Sequence, residues 1–150
     1  MKDKEVLNVG EQTTIAELLM RTIARYEGFP PAVTSKKIFW QALDETESVG
    51  VYSMPGAVVT QRYISGSFKA QFPFCVRYIC KPTNNSERVS KQSVLDDLGQ
   101  WLEDIGLPDL ADGRKVEAME RTQTSYLADR DAAGNEVYQC NFVLRYTKTM

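Results

Sequence analysis

The stretch "SFKAQFPFCVRYIC", residues 67–80, restricts what this chain can become more than any other. Phe68, Ala70, Phe72, Phe74, Val76, Tyr78 and Cys80 fall on one side of a period-two pattern, and Lys69, Gln71, Cys75 and Arg77 on the other. The pattern predicts a strand with one large apolar face. At roughly 3.3 Å per residue it would run about 40 Å, longer than most strands. Pro73 lies inside it. Proline cannot donate to a ladder, so a bulge or a sheet edge is expected there.

A second such run, "YQCNFVLRY" at 138–146, sets Tyr138, Cys140, Phe142, Leu144 and Tyr146 against Gln139, Asn141, Val143 and Arg145. Upstream, "VEAMERTQTSYLAD" is expected as a strand whose better face holds Val116, Ala118, Thr122, Thr124 and Tyr126. The turn "RDAAGNE" joins the two, with Gly134-Asn135 suited to a hairpin loop. "VGVYSMPG" and "AVVTQRYI" predict two further strands, the second pairing with 67–80 as a projecting hairpin.

Two segments have helical period instead. Ile15, Leu18, Leu19, Thr22, Ile23 and Tyr26 make one face, with a capping box at Thr14 and Glu17 and a stop at Gly28 and Pro30-Pro31. Residues 1–10 precede that cap as a polar arm, and the part from Lys2 to Val9 is expected to order on a neighbour. Val94, Leu95, Leu98, Trp101, Leu102 and Ile105 stripe the second helix, which Gly106 and Pro108 stop. Residues 32–48 are open to either strand or helical turn. The order α-β-β-β-α-β-β is an α+β fold in one domain over residues 1–150. It implies a mainly antiparallel sheet, two helices packed on one face, and the long hairpin projecting.

The chemistry available to such a chain is narrow. It has no histidine, so the usual general base is missing, and no phosphate-cradling glycine loop or G-x-S-x-G elbow occurs. Cys75, Cys80 and Cys140 are an odd set of three, read as buried thiols and not as a disulfide framework or metal site. No metal and no cofactor is expected. The net charge of −2, with cations scattered singly or in pairs, offers no basic stripe for nucleic acid. No apolar run approaches a membrane span and residues 1–14 lack a signal core, so a cytosolic product with no membrane partner is expected. Asp97 and Asp104 share a helix face and form an alternative of another class, a small Mg²⁺-dependent hydrolase or nuclease; a monomeric small-molecule-binding domain, which would need a deep apolar pocket, is a third. Opposite an apolar stripe the two acids read more simply as a solvated helix face.

Strand length, a polar arm and a proline-bearing strand are features of an assembly subunit. "SMPGAVVTQRYISGSFKAQFPFCVRYIC", then the helix "SVLDDLGQWLEDIG", then "YLADRDAAGNEVYQCNFVLRYTK" resemble the tail-terminator (tail-completion) proteins of long-tailed bacteriophages. The likeness is to a group often labelled minor capsid proteins, over about residues 10–148. It implies a non-enzymatic protein that forms a ring with itself, typically a hexamer, on the head-proximal end of the tail tube. Such a ring halts tube polymerisation and meets neck (head-completion) proteins, while DNA only passes through its lumen. It also implies assembly in the host cytoplasm and residence at the tail–neck junction of a virion or tail-like particle. A head–tail adaptor or stopper of the same particle is the alternative. On that frame Arg62, Tyr63, Ile64, Lys69, Gln71, Asn141 and Arg145 are expected at a subunit or tube interface. Arg130, Asp131 and Asn135 are expected in a loop that meets a neck or tube partner.

Overall fold

The elements run β1 (Glu5–Val6), α1 (Val9–Ala24), α2 (Pro31–Thr34), β2 (Phe39–Trp40), β3 (Ser48–Ser53), β4 (Val58–Arg62), β5 (Phe68–Cys80), α3 (Asn85–Ile105), β6 (Arg114–Arg130) and β7 (Glu136–Lys148). They are seen in a computed structural model that describes residues 5–34, 37–105 and 113–149. The expected α+β order is present, with three short elements added: β1, α2 and β2. The expected stop at Gly106 and Pro108 and the arm residues Lys2–Lys4 lie outside the described residues.

β5 organises the sheet. One of its edges pairs with β7 along all 13 residues, from Phe68↔Lys148 to Cys80↔Glu136. Its other edge is shared. β4 takes residues 68–71 and β3 takes residues 74–79, both antiparallel. β1 adds to β4, β2 adds to β3 in parallel, and β6 pairs with β7.

This sharing corrects the expectation for Pro73. The strand is neither bulged nor at an edge there, and its register with β7 runs unbroken. In an antiparallel strand the N and C=O of one residue point to the same edge. The Pro73 carbonyl accepts from Met54 N at 3.0 Å, so its nitrogen faces the gap where β4 has ended and β3 has yet to begin. The missing donor is spent where no ladder partner exists.

The even-numbered residues of β5 and, from Tyr138 to Tyr146, of β7 form the floor of one apolar cluster. α1 contributes Ile15, Leu19 and Ile23 to it, α2 Val33, and α3 Leu95, Leu98 and Leu102. Phe74 and Phe142 stack with ring centres 5.1 Å apart. Each fully buried side chain of this size contributes about 1.5–3 kcal/mol, and it is this face that holds the helices on the sheet.

Buried tyrosines pin the periphery of the cluster. A phenol carries a hydroxyl that needs a partner when buried. Tyr146 donates to Glu11 of α1 at 2.8 Å, and Glu11 also takes Arg114 at 2.6 and 2.7 Å. Tyr138 donates to Glu136 at 2.8 Å, and Glu136 takes Arg88 of α3 at 2.9 Å. Tyr78 donates to Glu47 at 2.8 Å, and Glu47 takes Lys91 of α3 at 3.0 Å. Each knot joins the sheet to a helix. Burial would raise the Glu11 pKa, but bonds from Arg114 and Tyr146 and the charges of Arg114 and Lys148 outweigh it and hold the carboxyl below its usual range. Burial and the Glu136 carboxylate push the Tyr138 phenol up to about 12.

Two local readings are corrected. α1 begins at Val9, not after Thr14: Asn8 is the cap, its side chain accepting from Glu11 N at 2.8 Å. Thr14 is interior and donates to Gly10 O at 3.0 Å. The second half of the expected polar arm is thus structured on its own chain, with Glu5–Val6 in the sheet and Leu7 buried. In β6 the expected face fails beyond Ala118. Four register shifts against β7 reset the alternation, so Met119 and Ser125 are buried while Thr122, Thr124 and Tyr126 are exposed.

Candidate assembly surface

The odd-numbered face of β5 and β7 receives none of the helical side chains that build the core. Register brings Lys69 opposite Thr147, Gln71 opposite Arg145, Pro73 opposite Val143, Cys75 opposite Asn141 and Arg77 opposite Gln139. Four of the seven expected interface residues, Lys69, Gln71, Asn141 and Arg145, therefore share this one face. Alternation along two paired strands is a local rule, which is why their placement was readable from the sequence.

Polar side chains cover the face in two chains of contacts. In the first, Arg77 stacks on Tyr52 at 4.5 Å and donates to Gln139 Oε1 at 2.8 Å. Gln139 Nε2 donates to Asn141 Oδ1 at 2.8 Å, and Asn141 Nδ2 donates to Gln123 of β6. Gln139 and Asn141 are each only 6% exposed although no helix lies over them. Their neighbours in the sheet bury them, and the amide ladder satisfies them. In the second, Gln71 donates to Gly56 O at 3.0 Å and accepts from Arg145 at 3.1 Å, and Arg145 approaches Glu120 at 3.4 Å. Cys75 is buried beneath the first chain, and burial pushes its thiol up.

One end of this face is roofed by the chain itself. Segment 41–46 crosses β3 at Gly50, where an added Cβ would stand 2.2 Å from the Ala42 carbonyl oxygen. Only glycine leaves that passage open.

The other expected residues lie at the two ends of the sheet. Tyr63 and Ile64 form the tip of the β4–β5 hairpin, and Ile64 is fully exposed. Arg62, next to them, is bound by its own chain, donating to Glu5 of β1 and lying 5.2 Å above the Phe68 ring. Arg130, Asp131 and Asn135 sit in the β6–β7 turn at the opposite end. Asp131 builds that turn, accepting from Ala133 N, Asn135 N and Asn135 Nδ2, each at 2.9 Å. Bonds from Asn135 hold the Asp131 carboxyl below its usual range. Arg130 reaches Glu136 at 3.4 Å. Thirteen strand residues separate tip from turn, roughly 40 Å at the rise of a strand.

The pair proposed for Mg²⁺ is engaged elsewhere. The Tyr26 hydroxyl donates to Asp97, and Gln100 donates to Asp104 at 3.0 Å. The α3 acids are also less purely solvated than amphipathicity implies, since Asp96 accepts from Ser125 N at 2.8 Å and Glu103 pairs with Arg121 at 3.0 Å. Among the described residues no group of three or more Cys, Asp or Glu side chains converges on one point. No described helix is long and apolar enough to cross a membrane.

The chain is thus a mainly antiparallel sheet with helices on one face, a polar second face and exposed turns at both ends. A family model of bacteriophage tail terminator proteins matches residues 20–148, and the chain belongs to that family. It is thus a structural protein of the phage tail, associated with other tail or head proteins. A search of curated proteins gives no significant match. One solved structure, 12% identical, aligns over 93% of this chain and 94% of its own with a TM-score of 0.49.

Proposed function

We propose that the chain forms a ring, a hexamer, that caps the head-proximal end of the tail tube. The ring halts tube polymerisation, offers the joining surface to the neck proteins, and leaves a lumen through which DNA passes. It assembles in the host cytoplasm and stays at the tail–neck junction as one of the minor proteins of the particle. Its role is structural, and the residues that act do so by contact.

The observation that carries this reading is the separation of two exposed turns to opposite ends of one sheet. The Tyr63–Ile64 tip and the Arg130–Asn135 turn can each meet a different partner while the sheet between them meets the neighbouring copy. A terminator needs such an arrangement, because it stands between tube and neck. In this reading Tyr63 and Ile64 belong to the surface that meets the tube or the next subunit, with Arg62 held beside them by Glu5. Arg130 and Asn135 belong to the turn that meets the other partner.

Co-expression with the tube protein of the same particle tests it. Electron micrographs should show tubes with one end closed by a ring of this chain, and light scattering should give a closed oligomer. Tubes that grow to unlimited length in its presence, with the chain never at their ends, would overturn it. The adaptor or stopper reading predicts instead a label on the head side of the neck, away from the tube.

A further inference from the structure

The uncovered face of the two central strands carries charge of one sign. Its charged side chains on β5 and β7 are Lys69, Arg77 and Arg145, with no acid among them. Arg145 shares Glu120 from β6. Among the described residues no carboxylate pairs with Lys69 or Arg77, and Arg77 sits half-buried between Tyr52 and Gln139.

The helix layer on the other side has the opposite sign. Five carboxylates of α3 (Glu87, Asp96, Asp97, Glu103 and Asp104) stand against two cations, Arg88 and Lys91. Glu103 and Asp104 occupy its last turn, which holds no basic residue. The negative end of the helix dipole opposes acids there. Arg121 of β6 answers Glu103 at 3.0 Å, while among the described residues Asp104 takes only the Gln100 amide at 3.0 Å. Asp97, Glu103 and Asp104 are exposed.

We propose that the uncovered sheet face docks against the α3 side of a second copy of this chain, with Lys69 and Arg77 of one copy meeting Asp97, Glu103 and Asp104 of the next. Two different surfaces meet, so the contact is heterologous, and its repetition closes a ring. The proposal rests on the ring reading above and assigns its interface. Charge complementarity selects the occupant. A cation that stacks on a tyrosine and pairs with no acid among the described residues gains one from the neighbour, and Asp104 at the neighbour's helix end gains a cation beside the Arg121–Glu103 pair. The rows between the charges favour protein over nucleic acid. Pro73–Val143 and Ile79–Val137 are apolar pairs on the same face, and apolar rows with Arg and Tyr are the composition of an interface core. A duplex groove would instead call for successive exposed cations to neutralise phosphates.

Light scattering of the full chain tests this, with thermal melts as the control for folding. Lys69→Glu with Arg77→Glu should weaken self-association about tenfold or more, and adding Asp97→Lys with Asp104→Lys should restore it. Carbodiimide crosslinking of a mixture of isotope-labelled and unlabelled wild-type chains needs no variant. It should join Lys69 of one chain to Asp97, Glu103 or Asp104 of another. A ring that persists unchanged in the charge-reversed double variant, or crosslinks that never pair these two faces between chains, would overturn the interface and leave the ring reading standing. A wild-type chain that stays monomeric alone and with tube protein would overturn both. Tight binding of duplex DNA at physiological salt, lost on Arg77→Glu, would also overturn the proposal and assign the face to nucleic acid.

Discussion

The two faces of the β5–β7 sheet are built from the same strands and satisfy their polar atoms in opposite ways. On the core face each buried phenol ends on a carboxylate that is itself held by a cation: Tyr146 on Glu11, Tyr138 on Glu136, Tyr78 on Glu47. These knots tie helix to sheet across long stretches of sequence. On the uncovered face amides answer amides between neighbouring strands, through Gln139, Asn141 and Gln123, and Arg77 pairs with no acid among the described residues. The first arrangement is complete in one chain. The second satisfies its hydrogen bonds yet leaves its charge open, which suits a surface kept for a partner.

The contrast breaks most visibly at Glu11. Glu11→Ala leaves the Arg114 guanidinium, 6% exposed, without the carboxylate that takes two of its N–H groups. It should destabilise the fold by about 3–5 kcal/mol, read by urea denaturation. The same knot makes stability depend on acid. The Glu11 carboxyl titrates below its ordinary value of 4.5 in the folded chain. Its contribution is therefore complete above that pH and lost as pH falls through the lower, folded value. Midpoints measured at pH 7, 5 and 3 should fall mainly in the last step, and by less in Glu11→Gln.

Smaller effects belong to the uncovered face. Gly50→Ala forces the 41–46 segment off β3 and should cost about 1–3 kcal/mol in thermal melts. Asn141→Ala removes two amide bonds on a surface that water can reach once the side chain is gone, so about 1 kcal/mol is expected from the monomer. A much larger loss would mean that this face is as closed as the core. Ile64→Ser, at a fully exposed tip, should leave the melting of the isolated chain within about 0.5 kcal/mol of wild type, while ring attachment to tube ends falls. Equal attachment by both chains would remove the tip from the contact.

Legibility followed the range of the interactions. The alternation in 67–80 and 138–146 was clean, so both faces were readable in advance, and with them the placing of Lys69, Gln71, Asn141 and Arg145 on one face. The helix stripe from Ile15 to Tyr26 was readable too, though its start was not, because Thr14–Glu17 offered a cap as plausible as Asn8. β1, α2 and β2 were too short to leave a period. The face of β6 was misread because bulges against β7 shift the alternation, and nothing in a single strand announces the register of its partner. The knots were missed because they join residue 11 to 146 and residue 88 to 136. Tyrosines at both ends of an apolar face were the one available hint, since a buried phenol needs an acceptor.

The sequence by itself determined that a long strand with one apolar face would pair in a hairpin-rich sheet beneath two helices, because side-chain alternation and helical period are properties of neighbours in the chain. Only the tertiary structure decided where Pro73 could stand, which carboxylate each phenol would meet, and that Arg77 would meet Tyr52 and Gln139. Those outcomes depend on which distant segments share an edge or a face, and free energy at such points is set by burial and contact across the fold and not along it.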